Sequence, residues 1–409
     1  MSEDFKTNRS VILNTAVIVA ALGYFVDIYD LILFSVVRVQ SLTDLGIPAA
    51  ENLDKGVLLI NMQMAGMLIG GILWGILGDK RGRLTVLFGS ILLYSLANIA
   101  NGFVQNIEQY ALLRFIAGVG LAGELGAGVT LVSEVLPKEK RGLGTMIVAT
   151  VGVSGALLAF WVGDFFGWRN AYFIGGGLGL LLLFLRVSVY ESGMFKNLQE
   201  TGVSRGNFFS LFTNGQRFKK YLMCILVGIP LWYVIGILIT FSPEFGRSLG
   251  VQGEVSAGKA VFYSYFGLIF GDFLSGYLSQ ILKSRNKVVV IFLLASATMI
   301  AVFFLSQNVS LPIFYFVCFG LGITSGFWAV FVTIAAEQFG TNLRATVATT
   351  VPNFVRGSVV PMTLAFSAMR QGFGLQTSAI ILAAVTITLA LISVSQLKES
   401  FGKDLDYYE

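Results

Sequence analysis

No histidine occurs in the 409 residues, only two cysteines do, and charged side chains make up 12 % of the chain. Each scarcity closes off a class of function. Histidine is the one side chain whose ordinary pKa lies between pH 5 and 8, so proton chemistry near neutrality must fall to carboxylates in unusual surroundings. A nucleophile–histidine pair is ruled out, and no Cys/Asp/Glu cluster has metal-ligand spacing. An enzyme therefore has no support, and neither metal nor other cofactor is expected. Cys224 and Cys318 each sit inside an apolar run and read as core residues, not as a disulfide frame. Seven prolines are few for a loop-rich fold. The charged fraction is about half the roughly 25 % usual in soluble domains.

What is abundant points to the bilayer as solvent. Hydrophobic residues make up 55 % of the chain and glycines number 47, with a mean hydropathy of +0.77. A spanning helix needs about 20 apolar residues. Twelve such runs are read: 11–37, 56–78, 84–104, 109–131, 143–166, 170–189, 220–242, 258–281, 288–306, 311–333, 345–369 and 375–396. The first is too long for a cleavable signal and lacks a small-residue cleavage site, so it is expected to be retained. Residues 190–219 form a polar connector, which divides the chain into 1–189, 190–219 and 220–409.

Placing both termini in the cytoplasm puts 20 of the 28 Lys and Arg residues inside and six outside, with Arg114 and Arg356 within spans. That is the bias of inner-membrane proteins. It accounts for the pI of 9.1 and excludes nucleic acid as a partner. The expectation is an all-α, multi-pass protein of a bacterial inner membrane, acting as a monomer. The halves resemble each other: "TLVSEVLPKEKRG" (130–142) aligns with "TIAAEQFGTNLRA" (333–345) at an offset of 203. A duplicated six-helix unit places a binding site near the midplane between the halves.

The second-to-third loop, "GILGDKRGRLTVL" from Gly75 to Leu87, resembles the signature loop of the major facilitator superfamily. Gly75 and Gly78 suit a close helix approach, Asp79 a charged helix end, and Lys80, Arg81 and Arg83 a basic surface. The later "GYLSQILKSRNK" keeps the glycine and the cations but has Gln280 in place of Asp79. "GYFVDIYDLILF" (23–34) is similar to the first helix of metabolite:proton symporters, with Asp27 for Glu and Ile28 for Trp. "RFIAGVGLAGELGAGVTLVSEVLPKEKRG" (114–142) resembles their fourth helix, and "LKESFGKDL" a terminal motif of sugar porters. The resemblance implies twelve transmembrane helices in two pseudo-symmetric six-helix bundles and transport by alternating access. It also implies a cytoplasmic gate, expected from Gly75, Asp79, Arg83, Glu134, Arg141, Glu337 and Arg344, with Glu134–Arg141 and Glu337–Arg344 repeating one spacing.

The charges inside the spans are the candidate functional groups, because intramembrane ionisable residues are costly. Asp27 and Asp30 lie about 24–28 Å along the first helix, spaced to share a face, and Arg114 lies at similar depth in the fourth. A guanidinium beside Asp27 would set how readily that acid takes a proton. Asp27, Asp30, Arg114 and Glu124 are thus proton-coupling candidates, with a static Asp–Arg pair as the plainer alternative. Arg356, about 16–18 Å into the eleventh helix, is expected either to pair with Asp272 or to bind a substrate carboxylate. Tyr29, Gln63, Trp232, Tyr233, Trp328 and Asn353 are placed to line the same cavity.

The function expected is proton-driven uptake of a small organic anion or zwitterion. A proton antiporter is the nearest alternative, although "VGVSGALLAFWVG" in the fifth run lacks the proline of such proteins. A uniporter and a nutrient-sensing receptor also stay open. The sequence names neither substrate nor proton stoichiometry.

Overall fold

The computed structural model describes residues 15–81, 83–123, 141–191 and 208–402, without the side chains at 15–16, 78–85, 141–146, 188–191, 341–342 and 345. The first half contains α1 (Thr15–Asp44), α2 (Asn52–Arg81), α3 (Arg83–Asn101), α4 (Ile107–Leu121), α5 (Arg141–Val153) and α6 (Gly155–Glu191). The second contains α7 (Gly215–Tyr233), a π-helical turn (Val234–Ile239), α8 (Ser242–Ser248), α9 (Ala257–Ile281), α10 (Arg285–Leu305), α11 (Leu311–Ser325), α12 (Trp328–Glu337), α13 (Thr341–Gly357) and α14 (Val359–Gln396). No strand occurs among the described residues.

Seven helical stretches among the described residues are long and apolar enough to cross a membrane. Two of them, Ile147–Val187 with 41 residues and Thr346–Gln396 with 51, are too long for one crossing. At 1.5 Å per residue they measure about 60 and 75 Å against a hydrocarbon core of about 30 Å. Each is two spans joined at a bend, where Gly167 (φ 77°) and Gly374 (φ 75°) leave the helical region. Those angles suit glycine, which has no Cβ to clash. Helix occupies all twelve expected runs, the fourth as far as Leu121 among the described residues.

The tenth run is not continuous. Its helix stops at Ser325 and restarts at Trp328. Gly326 lies so close to α9 that an added Cβ would stand 2.4 Å from the Gly271 backbone. The restart is capped from the same helix: the Ala329 N–H donates to Asp272 Oδ1 at 3.3 Å. A carboxylate at a helix N-terminus satisfies donors that would otherwise have no partner in lipid.

The duplication holds to single atoms. In the first half, Cβ atoms built on Gly66, Gly70 and Gly118 would lie 2.1, 2.4 and 2.0 Å from the carbonyls of Phe115, Val119 and Gln63. In the second, Gly267, Gly271 and Gly322 stand 2.2, 2.1 and 1.9 Å from those of Phe319, Ile323 and Ser264. Glycine is needed here because the backbones of α2 and α4, and of α9 and α11, touch. Tyr29 donates to the Ala171 carbonyl at 2.8 Å, and Tyr233 donates to that of Ala379 at 2.7 Å. Both tyrosines were expected to line the cavity. Their hydroxyls instead tie each bundle's first helix to its last.

The halves meet where α2 packs on α13 and α14, and where α9 packs on α1, α5 and α6. At the connector end, Glu399 caps α10. It accepts from the Ser284 hydroxyl and from the N–H groups of Arg285 (3.1 Å) and Asn286 (3.3 Å). Burial alone would raise its pKa, but these donors outweigh burial and hold it below the usual carboxylate value. Gly75 does not serve the close approach expected of it, for a Cβ there would meet nothing within 4 Å.

The glycine contacts predict a contrast. Gly322→Ala should destabilise the protein by about 1–3 kcal/mol through overpacking. Gly276→Ala, which meets open space, should change stability by no more than about 0.5 kcal/mol. Thermal midpoints of the two variants in one detergent decide; equal midpoints would contradict the close α9–α11 contact.

Candidate functional site

Arg356 stands in the last turn of α13, 1 % exposed, at the junction of the two halves. Its nearest acid is in the opposite half: Nη2 lies 3.9 Å from Asp27 Oδ2 on α1. That distance is too long for a hydrogen bond, so the pair is electrostatic and loose. Trp232 of α7 and Trp328 of α12 present their rings at 5.9 and 5.7 Å from the guanidinium carbon. Tyr24 and Tyr265 lie within its electrostatic field. Nε and Nη1 of Arg356 and the indole N–H of Trp232 are buried with no acceptor among the described residues. A buried donor left without a partner costs about 1–3 kcal/mol, and more when charged. The site is therefore three donors, two aromatic walls and one distant counter-charge.

The Arg356–Asp272 pair weighed from the sequence does not form, because Asp272 is engaged in capping α12. It acts on the site indirectly, by fixing the residue next to Trp328. Asn353, one turn before Arg356, turns to the other half, where its Nδ2 donates to the Ala122 carbonyl at 2.8 Å. Of the expected lining, Arg356, Trp232 and Trp328 come together. Tyr29, Tyr233 and Gln63 do not join them.

Gln63 belongs to a second cluster, inside the first bundle. Its Oε1 accepts from Arg114 Nη2, and Arg114 lies 5.1 Å from the ring of Phe34 and 5.8 Å from that of Tyr172. The expected Asp27–Arg114 partnership is replaced by Arg114–Gln63, with Asp30 as the acid within reach of Arg114. Asp30 is fully buried, and neither carboxylate oxygen has a hydrogen-bond partner among the described residues. It packs against α6, where a Cβ on Gly175 would stand 2.3 Å from Oδ1. Glu124, the fourth proton candidate, lies outside the described residues.

Most of the expected gate also lies outside them: Glu134 entirely, and the side chains of Asp79, Arg83 and Arg141. In the second half, Glu337 is held by Arg285 at 2.9 Å, with Arg344 contributing to its field. The repeated Glu337–Arg344 spacing thus converges on a cation of the second basic loop.

Sequence reasoning missed a clasp at the opposite end. Arg38, counted as a loop cation, is fully buried. Its Nη1 and Nη2 meet Glu244 Oε1 and Oε2 at 2.8 and 2.7 Å, a two-bond fork of the strong kind. The carbonyls of Asn52 and Thr240 take further bonds at 3.0 and 3.2 Å, and Phe241 stacks at 4.8 Å. Nearby, Ser35 meets Thr240 at 2.9 Å and Arg370 meets Asp54 at 2.5 Å. All three contacts join one half to the other. The available signal was Pro243–Glu244, an acid in the first turn of a helix that directly follows an apolar run.

Residues 20–360 match the Major Facilitator Superfamily. A putative metabolite transport protein of Haemophilus influenzae is 27 % identical over 406 residues, spanning 96 % of this chain and 97 % of its own length. The probable 4-methylmuconolactone transporter of Cupriavidus pinatubonensis is 28 % identical over 346 residues, spanning 79 % and 76 %. Among solved structures, the proton:xylose symporter XylE bound to 6-bromo-6-deoxy-D-glucose has a TM-score of 0.73 at 17 % identity, covering 98 % of both chains. That last likeness is one of fold. With helices in every expected run, a duplicated bundle and a sequence match over most of its length, the chain belongs to the Major Facilitator Superfamily, a family of membrane transporters and not of enzymes.

Proposed function

We propose that the protein imports a small organic anion or zwitterion together with a proton, by alternating access. It would act as a single chain in a bacterial inner membrane with both termini in the cytoplasm. One observation carries the reading: Arg356 and Trp232 offer three buried donors without acceptors, at the junction of the halves. A substrate carboxylate supplies acceptors, and a guanidinium fork receives it through two bonds. Trp232 and Trp328 suit the apolar body of such a substrate. A relative named for a muconolactone is consistent with that chemistry.

In this reading Asp27 and the substrate are alternative partners of Arg356. Substrate on Arg356 releases Asp27, and with it a tie between the halves. Asp30, in the field of Arg114, carries the proton. The lysine and arginine bias places the Arg38–Glu244 clasp at the outer face, so the structure corresponds to a state shut toward the outside.

Three outcomes follow. Asp30→Asn should abolish pH-gradient-driven accumulation in proteoliposomes while counterflow persists, since exchange needs no net proton movement; accumulation at the native level would remove Asp30 from coupling. Arg356→Lys should weaken carboxylate binding by about 1–3 kcal/mol, because an ammonium cannot form the planar fork. Binding assays across carboxylates, betaines and sugars check it, and unchanged affinity for every ligand would sink the role of Arg356. Arg38→Ala or Glu244→Ala alone should cost the outward-closed state about 3–5 kcal/mol, by leaving one charge buried and unpaired. The double variant should lose less. Labelling of a cysteine at Thr240 from the outside reads the shift, and equal labelling in all three would contradict the clasp.

A further inference from the structure

The first bundle contains a row of polar groups that the transport reading leaves unused. Ser95, Asn98 and Asn101 follow one another along α3, three residues apart, and all are fully buried. At that spacing successive members rise by about 4.5 Å on one side of the helix. The Ser95 hydroxyl and both amide atoms of Asn98 and of Asn101 have no hydrogen-bond partner among the described residues. The same is true of both oxygens of Asp30. Asn98 faces Asp30, yet no bond of normal geometry closes between them. Glycines of α6 leave room alongside: built Cβ atoms on Gly175 and Gly179 would stand 2.3 Å from Asp30 Oδ1 and 2.1 Å from Ser95 Oγ.

The row ends at a charged patch. Asn101 is the last residue of α3, and the following loop offers the carbonyls of Gly102 and Val104 to Arg169 at 3.1 and 2.9 Å. Arg169 also pairs with Asp44 at 3.2 Å, and both are substantially exposed. In the opposite direction the row reaches Asp30.

Two carboxamides buried in a membrane bundle without partners are not tolerated at such density, since nearly all buried polar atoms are satisfied by protein or by ordered water. A buried water needs two to four polar partners, and this row supplies them at each step. We infer that α3 supports a file of water molecules from the Arg169–Asp44 patch to Asp30, and that the coupling proton enters through the first bundle and not through the cleft between the halves. The inference rests on Asp30 being the proton carrier.

The charged and titratable groups facing Asp30 are Asp27 and Tyr29 on α1, Arg114 on α4 and Tyr172 on α6. From α3 it faces the uncharged Asn98. Each transfer along the file breaks one O–H bond in a donor water and forms one in its neighbour. The net result is one proton taken from outside and one O–H bond made on the Asp30 carboxylate. The amides orient the waters and neither gain nor lose protons.

The test uses the full-length protein in lipid, with D₂O as the probe. Infrared spectra of native protein minus Asp30→Asn identify the carboxyl band of protonated Asp30, and its shift on transfer to D₂O gives an exchange rate. Asn98→Leu and Asn101→Leu should each slow that exchange by at least about tenfold, equivalent to about 1.4 kcal/mol of barrier. Asn98→Ser and Asn101→Ser, which keep a polar group and leave space for water, should exchange at the native rate. If Asn98→Leu does not fold, Asn101→Leu blocks the outer end and carries the same comparison. Native exchange in the leucine variants overturns the route alone. The lack of any Asp30-dependent band overturns both the route and the role of Asp30.

Discussion

A guanidinium deep in a membrane must be met by something, and the arrangement of this protein turns on what meets Arg356. Even lenient scales place the cost of a mid-membrane arginine at about 2.5–3.5 kcal/mol. Here it is offset by two tryptophan faces and by a carboxylate 3.9 Å away that belongs to the other half of the molecule. The counter-charge is thus available only while the halves lie together at this depth. Separating them without a replacement anion would strand both Arg356 and Asp27. The position of the two bundles and the charge balance of the site are consequently one variable, which is what an alternating-access carrier requires.

The scaffold is symmetric, but the chemistry placed on it is not. Tyr29 and Tyr233, the Gly66–Gly70–Gly118 and Gly267–Gly271–Gly322 contacts, and the bends at Gly167 and Gly374 repeat from half to half. In that register, set by Tyr29 with Tyr233, Gly118 with Gly322 and Gly70 with Gly271, Asp27 corresponds to Leu231, Arg114 to Cys318 and Asp272 to Gly71. Each ionisable residue of the interior therefore stands once, opposite an uncharged counterpart. Packing dictates the repeated residues, because two backbones in contact admit only glycine. No packing rule demands a charge at midplane, so those positions were free to diverge toward separate tasks.

This difference explains what was legible in the sequence. Hydropathy located every helical run and the duplication, since lipid imposes one requirement on all spans. It passed over the interruption at Gly326–Phe327, because a two-residue break capped by Asp272 leaves the apolar character of the run intact. The interior charges were found by their depth, whereas their partners were not. Arg114 pairs with Gln63 and Arg356 with Asp27 because of how α1, α2, α4 and α13 cross, and crossing geometry does not show in spacing along one helix. Arg38 was read as a loop cation for a related reason. Its burial is created by Glu244, which lies more than 200 residues away in the other half.

The two acids of the first helix show how little rotation separates two roles. Residues three apart are about 60° apart around a helix, close enough to look like one face on a helical wheel. In the folded chain that angle spans a boundary. Asp27 falls on the side of α1 that looks across the junction to Arg356, while Asp30 falls on the side packed against Gly175 within its own bundle. One carboxylate therefore responds to the other half and to whatever anion occupies the junction. The second responds to Arg114 and to the polar interior of the first bundle. Joined through a single turn of rigid helix, they bring an event at the junction within about 5 Å, along the helix axis, of a group that is insulated from it. A carrier that must prevent its proton from leaking while its substrate site opens has use for that separation, and a short stretch of α1 supplies it.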